Sequence, residues 1–228
     1  MKSFVSLFRK PKVLIGLLTF TFLACVIIII ALFIGQEAGN FVIQVESGNV
    51  RKSIRITESL EDPNYTSRLE TSGVSDITNT TYSRFSGKLD NYINTDGALF
   101  DRDLNVFSYT FYMVNDSNES LDVKATMFYS NVTNNVDKAV RIMTITSQEN
   151  LRRCYQAPDD VYYDYGANYP VIYNFVDNST LYEESYLSFD PSTSIKYTVL
   201  FWLEGNDPDC TDAVRNGTIR FTLRLAVS

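Results

Sequence analysis

Two hydrophobic patterns divide this chain into an apolar N-terminal run and a longer region of alternating apolar and polar positions. The run extends from Val13 to Gly35 and contains no charged residue. At about 1.5 Å per helical residue, it is long enough to cross the ~30 Å hydrocarbon core of a bilayer. Four basic side chains precede it, and the first charged residue after it is Glu37. The pattern therefore predicts a transmembrane helix with its N-terminus in the cytoplasm.

This helix sets the expected organisation of the chain. Residues 1–12 are predicted to be a cytoplasmic tail, residues 13–35 a transmembrane helix kept as a signal anchor, and residues 36–228 an extracellular domain. A cleavable signal peptide is the alternative, but its apolar core is typically about 7–15 residues and ends at a small-x-small site. Gln36 and Ala38 supply only a poor pair for such a site. A lipoprotein signal is disfavoured because Cys25 lies in the middle of the run.

Two-residue alternation, which is typical of half-buried strands, recurs through the extracellular region. Its clearest example alternates Ile, Phe, Leu and Val with Thr and Arg over residues 219–227. A second row, over residues 195–203, also has Leu200 and Trp202 on its opposite face, which indicates a strand that is central or covered on both sides. Further strands are predicted at 41–45, 54–56, 107–113, 121–129, 138–146 and 181–189.

The connections between these strands complete the predicted fold. Residues 107–113 and 121–129 flank a turn of Asn, Asp, Ser and Asn and are predicted to form a hairpin. Residues 61–104 are polar and lack sustained alternation, so they are predicted to form a long surface excursion. The sequence thus predicts an all-β fold, an antiparallel β-sandwich with jelly-roll-like connections, preceded by one N-terminal transmembrane helix.

Charge restricts the partners of the extracellular region. Four of the 20 basic side chains precede residue 36, which leaves 16 basic against 27 acidic side chains and a formal net charge of −11. Such a surface repels nucleic acid and lacks the basic stripe that phosphate recognition requires. No nucleic-acid partner is therefore expected. The predicted partners are the membrane, through the helix, and other surface or matrix proteins or wall polysaccharide.

The chain contains no histidine. This excludes HExxH zinc sites, Ser-His-Asp and Cys-His catalytic arrangements, and imidazole acid–base chemistry. Paired carboxylates can still cleave glycosides, but a sequence alone does not show two carboxyl groups at the required separation. We therefore expect a protein that is not an enzyme, with no catalytic residue and no cofactor.

Cys154 and Cys210 are the two cysteines of the extracellular region. An oxidising exterior permits a disulfide between them, and closing so long a loop would stabilise the fold by roughly 3–4 kcal/mol. Two separate thiols, buried or exposed, are the alternative.

An acidic turn follows the strand predicted at 195–203. Asp207, Asp209 and Asp212 gather oxygen ligands of the kind that Ca²⁺ prefers around one bend. Asn, Asp and Pro also form ordinary turns through Asx hydrogen bonds and a fixed φ. A calcium site at these three aspartates is therefore a hypothesis to weigh against a plain turn.

Six tyrosines and three aspartates crowd residues 155–173. Exposed aromatic rings beside carboxylates suit sugars, which offer CH faces and hydroxyl groups. The candidate ligand-binding residues in this loop are Tyr162, Tyr163, Tyr165 and Tyr169. Tyrosine equally packs within sheets, with its ring dry and its hydroxyl wet. Binding would require several of these rings to be exposed on one concave face.

Three stretches of the chain carry a family resemblance: SIKYTVLFWLEGNDPDCTDAVRNGTIRFTLRLAVS, SIRITESLEDPNYTSRLE and YTFYMVNDSNESLDVKATMFYSNVTNNVDKAVRIMTI. They resemble a family of uncharacterised membrane-anchored surface proteins of Gram-positive bacteria. The family marker is a Trp-Leu-Glu-Gly segment followed by Asp and Pro-Asp-Cys, which this chain carries at residues 202–210. The resemblance implies no known chemistry.

More distantly, the stretch YTFYMVNDSNESLDV resembles the TasA and camelysin group of matrix and cell-surface proteins, whose domains are jelly-roll sandwiches. The peptidase activity described for some of that group has no histidine onto which it could be carried here. The resemblance implies a membrane-anchored surface protein whose non-catalytic domain serves assembly, adhesion or matrix interaction. The alternative is a carbohydrate-binding module at the cell wall that uses the tyrosine-rich loop.

Overall fold

The computed structural model describes residues 19, 21–26, 41–46, 54–148, 152–158 and 170–227. It divides into two compact units, Met1–Ala38 and Gly39–Ser228. In the first unit, the described residues are helical. No helix among the described residues is long and apolar enough to span a membrane. The predicted cytoplasmic tail and most of the predicted transmembrane span lie outside the described residues, so the anchor stays a prediction.

Strands dominate the second unit, as the alternation predicts. Within the described residues they are β1 (Phe41–Val45), β2 (Ile54–Thr57), β3 (Arg68–Glu70), β4 (Gly97–Asp101), β5 (Val106–Asn115), β6 (Leu121–Ser130), β7 (Val140–Thr146), β8 (Arg152–Gln156), β9 (Val171–Asn174), β10 (Thr180–Phe189), β11 (Ser194–Leu203) and β12 (Arg220–Val227). Short helices lie between them: α1 (Tyr82–Phe85), α2 (Leu89–Ile93) and α3 (Val136–Ala139), with 3₁₀ turns at Ser86–Lys88 and Asp212–Val214. The all-β class is confirmed.

Two sheets organise these strands. One has the order β10-β6-β12-β1-β3, and the other has the order β2-β5-β11-β7-β8-β9, with β4 also pairing with β5. Most neighbours are antiparallel, but β1 runs parallel to β12 and β8 runs parallel to β9. The expectation of a wholly antiparallel sandwich is therefore wrong at these two pairs. Parallel neighbours need a crossover connection, and a tight turn joins neither pair.

The main core lies between the two sheets. Phe41 of β1 packs against Tyr109 and Phe201 of the facing sheet, with ring centroids 5.7 and 5.1 Å apart. Phe201 also contacts Phe221 of β12 at 4.6 Å. Such ring pairs each add about 0.5–1.5 kcal/mol to the effect of burial alone. Phe221, Leu223 and Leu225 of β12 are buried in this core and Val227 packs against it partly buried, which confirms the clearest alternation in the sequence.

A second, smaller core covers the outer face of β11. Phe85 of α1 and Tyr92 of α2 belong to a buried cluster with Leu200 and Trp202. The rings of Phe85 and Trp202 meet edge to face, with centroids 5.1 Å apart. The predicted burial of β11 on both faces is therefore confirmed. The helices that cover it, which we call the helical cap, come from the segment that the sequence assigns to a polar excursion.

The predicted hairpin of β5 and β6 is wrong. These strands belong to different sheets, so the turn between them carries the chain across the sandwich. The side-chain amide of Asn115, at the end of β5, donates to the carbonyl oxygens of Glu119 and Phe189, each at 2.8 Å. Its side-chain oxygen accepts from the Ser117 hydroxyl at 2.6 Å. These bonds tie the turn to the end of β10, which lies in the same sheet as β6.

Candidate functional site

A groove opens where the two sheets end side by side. Among the described strands, β9 lies at the edge of one sheet and β10 at the edge of the other. A cavity of about 340 Å³ lies beside them, and β8, β9 and β10 supply most of its lining. This volume is at the small end of the range of ligand pockets, ~300–1,000 Å³. The side chains that matter below are Arg153, Tyr155, Tyr173, Asn174, Tyr182 and Glu184.

A buried carboxylate forms part of the groove wall. Glu184 is 7 % exposed, because it occupies an inward position in the alternation of β10. One of its oxygens accepts hydrogen bonds from the hydroxyls of Thr144 at 2.7 Å and Tyr155 at 2.6 Å. The other accepts from the hydroxyls of Tyr186 and Tyr197, the latter at 3.0 Å. We call these five residues the Glu184 cluster.

The tyrosine hydroxyls of the Glu184 cluster are neutral donors. Burial, and then the negative charge of Glu184, raise the pKa of Tyr155 and of Tyr186 above the ordinary value of 10.0. The pKa of Tyr197 is raised by the same two causes. The guanidinium of Arg153 lies 4.0 Å from Glu184 and adds a positive charge at the groove. Hydroxyl groups held in the un-ionised form therefore satisfy this carboxylate.

Three tyrosines form a stack that leads from solvent into the core. Tyr173 of β9 lies against Tyr155 of β8 with ring centroids 5.6 Å apart, and Tyr155 lies against Tyr182 of β10 at 4.5 Å. Tyr155 and Tyr182 are buried, whereas Tyr173 is 44 % exposed. The outermost ring is thus supported from behind and lines the groove.

The structure describes the tyrosine-rich region only at its two ends, residues 155–158 and 170–173. The four rings named from the sequence, Tyr162, Tyr163, Tyr165 and Tyr169, lie outside the described residues, and their role stays a prediction. Tyr155 and Tyr173, which flank that loop, both line the groove. Sequence reasoning missed Glu184 and Arg153. The signal for Glu184 was the Tyr-x-Glu-x-Tyr alternation, which puts a carboxylate on the same face as two aromatic rings.

A second buried polar cluster lies beside the helical cap. Arg141 of β7 forms an ion pair with Asp207, and both side chains are fully buried. Glu204 is buried as well, and it accepts hydrogen bonds from the Trp202 indole at 3.0 Å and from the backbone amide of Asn206 at 3.2 Å. We call Arg141, Trp202, Glu204 and Asp207 the Arg141 cluster. The marker segment, residues 202–210, supplies three of its four members, Trp202, Glu204 and Asp207, and acts here as a structural turn.

The predicted calcium ligands have other partners in this turn. Asp207 pairs with Arg141 and also accepts from the Asp209 amide at 2.8 Å. Asp212 forms an ion pair with Arg215 at 3.1 Å and is 91 % exposed. In the part of the chain that the structure describes, no group of three or more acidic, cysteine or histidine side chains is arranged to hold a metal ion. The calcium site stays a prediction.

Cys154 and Cys210 lie in different surroundings. Cys154 is buried in the second core, and Cys210 is half-buried at the end of the marker segment. Both side chains are thiols in the structure. Burial raises the pKa of the Cys210 thiol. A disulfide between them in the oxidised protein stays a prediction.

No family model, curated protein or solved structure matches this chain. The resemblance to Gram-positive surface proteins therefore stays a prediction.

Proposed function

We propose that this chain is a single-pass protein of the cell membrane whose non-catalytic β-sandwich assembles outside the cell with further copies of itself. Residues 13–35 form the anchor, residues 1–12 remain in the cytoplasm, and the jelly-roll-like domain contacts other surface or matrix proteins. The apolar run and the positive charges before it support the membrane assignment. The position of β1 supports assembly.

β1 lies inside its sheet, although it precedes every other described strand in the sequence. It pairs with β12 over the five residues Phe41–Val45 and with β3 over three residues. Phe41 and Ile43 are 3 % and 1 % exposed, and both belong to the main core. β1 therefore fills a strand-wide site between β12 and β3, which we call the β1 site.

A strand in this position is suited to exchange between copies. When β1 leaves the β1 site, Phe41 and Ile43 become exposed, at a cost of about 1.5–3 kcal/mol for each side chain. The same burial and the same main-chain hydrogen bonds return when β1 of another copy enters the site. The balance between closed and exchanged forms then depends on concentration, which a shared membrane raises for tethered domains.

The acidic surface makes this assembly sensitive to salt. Residues 36–228 carry a formal net charge of −11, so neighbouring copies repel one another. Added salt screens this repulsion, because the Debye length falls from about 10 Å at 0.1 M salt to about 3 Å at 1 M. We expect the exchanged fraction to rise with ionic strength.

Two cysteine variants of the full chain test exchange. Gln44 of β1 and Arg224 of β12 are direct partners. Neighbouring strands lie about 4.8 Å apart, within the ~4.4–6.8 Å that a disulfide spans between Cα atoms. Gln44→Cys and Arg224→Cys chains, each in a Cys25→Ser, Cys210→Ser background, are mixed and oxidised. We expect a disulfide-linked heterodimer on non-reducing gels, with the joined peptides identified by mass spectrometry.

Two controls make the result decisive. Arg220→Cys is matched to Arg224→Cys, because Arg220 lies on the same strand and pairs with Ser130 of β6 instead of β1. It should give no heterodimer with Gln44→Cys. A single chain carrying both Gln44→Cys and Arg224→Cys should form the bond internally. If that internal bond forms and the mixture gives no heterodimer, assembly by exchange of β1 is refuted.

Binding of wall polysaccharide through the tyrosine-rich loop is the alternative function. The exposed ring of Tyr173 and the groove beside it support a role for this side of the domain in ligand binding. A glycan array probed with the full chain tests the alternative, and the absence of any bound glycan would count against it.

A further inference from the structure

We propose that the groove beside β9 and β10 binds one ring of a neutral saccharide, which stacks on Tyr173 and is hydrogen-bonded by Arg153, Asn174 and Ser185. This site uses none of the four loop tyrosines named from the sequence. It also stands independently of assembly through β1, because the β1 site and the groove share no residue.

Hydrogen bonds join the groove wall to both sheets. Glu184 accepts hydrogen bonds from four side-chain hydroxyls, and those of Thr144 and Tyr155 join it to β7 and β8. Tyr182 adds a hydroxyl contact with Tyr197 of β11 at 2.9 Å. These bonds connect the edge of one sheet to the interior of the other. A wall fixed in this way loses little conformational entropy when a ligand binds.

Tyr173 provides the surface on which a sugar ring can lie. It is 44 % exposed, and Tyr155 supports it at 5.6 Å between ring centroids. The face of an aromatic ring carries partial negative charge, and it attracts the partial positive charge on the CH groups of a pyranose face. Because a tyrosine side chain has only two χ angles, this contact costs little side-chain entropy.

The polar groups around Tyr173 favour a neutral ligand over an ion. Arg153 lies 4.0 Å from Glu184, and Glu183 forms an ion pair with Lys124 at 2.8 Å. Positive and negative charges at the groove are therefore balanced, so neither a phosphate nor a metal cation meets an excess of opposite charge. Guanidinium, amide and hydroxyl groups offer both donors and acceptors, which suits the hydroxyls of a sugar.

The size of the groove sets the expected extent of contact. Its volume of about 340 Å³ suits a small ligand or one unit of a polymer. The exposed position of Tyr173 at the edge of the sheet leaves the neighbouring units of a chain in solvent. We expect weak binding by each domain, which many domains on one surface would strengthen through multivalency.

Calorimetric titration of the full chain, kept in a sugar-free detergent, tests the proposal with chitohexaose, cellohexaose and maltohexaose. Each is titrated to about 10 mM, tenfold above a Kd of ~1 mM. We expect saturable binding of at least one of them. Tyr173→Ala should weaken that binding about tenfold, whereas Tyr173→Phe, which keeps the ring, should bind within about twofold of the unmodified chain.

Tyr65→Ala is the matched control. Tyr65 is 43 % exposed, and it lies between β2 and β3, at the sheet edges opposite the groove. It should leave binding unchanged. The proposal is overturned if none of the three hexasaccharides binds, if Tyr173→Ala binds as tightly as the unmodified chain, or if Tyr65→Ala weakens binding to the same extent.

Discussion

Glu184 and Asp207 are both buried carboxylates, yet different groups stabilise them. Four neutral hydroxyls donate to Glu184, whereas Asp207 lies against the fully buried guanidinium of Arg141. A buried carboxylate is costly unless hydrogen bonds or an opposite charge replace its lost hydration. Glu184 is held mainly by hydrogen bonds, with the Arg153 guanidinium 4.0 Å away, whereas Asp207 is held mainly by the opposite charge of Arg141.

The two clusters also differ in their access to solvent. The Arg141 cluster lies beside the helical cap, where Trp202 is 1 % exposed. The Glu184 cluster forms the wall of a groove, and Tyr173 stands 44 % exposed in front of it. A sealed cluster contributes only to folding, whereas an open one can also offer groups to a ligand. The marker segment of the sequence therefore belongs to the structural cluster, and the candidate binding site has no such motif.

The largest expected effect comes from breaking the sealed ion pair. Asp207→Ala leaves the Arg141 guanidinium buried without its carboxylate, which should lower the free energy of unfolding by about 3–5 kcal/mol. Urea denaturation followed by circular dichroism measures the change. Asp212→Ala is the control, because Asp212 is 91 % exposed in its ion pair with Arg215, and the loss should stay within about 1 kcal/mol. Equal losses in the two variants would show that the buried pair has no special weight.

A smaller loss is expected from the open cluster. Glu184→Gln keeps the shape of the side chain but replaces an acceptor oxygen with a donor, so two of the four hydroxyls lose their acceptor. The free energy of unfolding should fall by about 1–3 kcal/mol. Glu183→Gln, at the exposed neighbouring position, should change it by less than about 1 kcal/mol. A neutral result for Glu184→Gln would mean that water replaces the missing acceptor and that the groove wall is wetter than its burial indicates.

The sequence predicts individual strands better than their partners. Alternation revealed β5, β6, β11 and β12 because each has one row of apolar side chains facing the core. It gave no information on which sheet each strand joins. The error over the β5–β6 hairpin follows from this, since the bond from Asn115 to Phe189 that redirects the chain is a contact between residues far apart in sequence.

The candidate site was even less visible in the sequence. β8 and β9 are short strands without clear alternation, so the position of Arg153 beside the groove depends on pairings that a local pattern does not encode. Glu184 occupies an inward position, where polarity alone would assign a solvent-facing one. Tyr173 belongs to the tyrosine-rich region of the sequence, but its exposure depends on the position of β9 at the edge of the described sheet.

Alkaline titration should test the Glu184 cluster without any mutation, because this cluster contains three tyrosines and the Arg141 cluster contains none. The folded-state pKa values of Tyr155, Tyr186 and Tyr197 are raised above their unfolded value of 10.0 by burial and by Glu184. The neutral hydroxyls therefore stabilise the fold below pH 10, and this stabilisation is lost as the pH rises above the unfolded value. Absorbance of tyrosinate should show these rings ionising only together with unfolding. Independent ionisation near pH 10 in the folded chain would contradict their burial.

The smallest effect concerns the solvated turn that joins β9 to β10 at the groove. The carboxylate of Asp177 accepts hydrogen bonds from the backbone amides of Ser179 and Thr180, each at 2.7 Å, and from the Ser179 hydroxyl at 2.8 Å. These bonds, led by that of the Ser179 amide, lower the pKa of Asp177 below its ordinary value of 3.8. Because the folded-state pKa is the lower one, the contribution is present at neutral pH and is lost as the pH falls through it.

Asp177→Asn tests this pH-dependent contribution to stability, since asparagine keeps an acceptor oxygen but does not titrate. Urea unfolding of the two chains at a series of pH values from neutral to about 2 should show a slightly steeper acid loss of stability in the unmodified chain. The difference should be small, because the turn is exposed and water competes for the same donors. Parallel curves for the two chains would show that the ionised carboxylate does not help to hold the turn. The rigidity of the groove would then depend on the Glu184 cluster and the tyrosine stack alone.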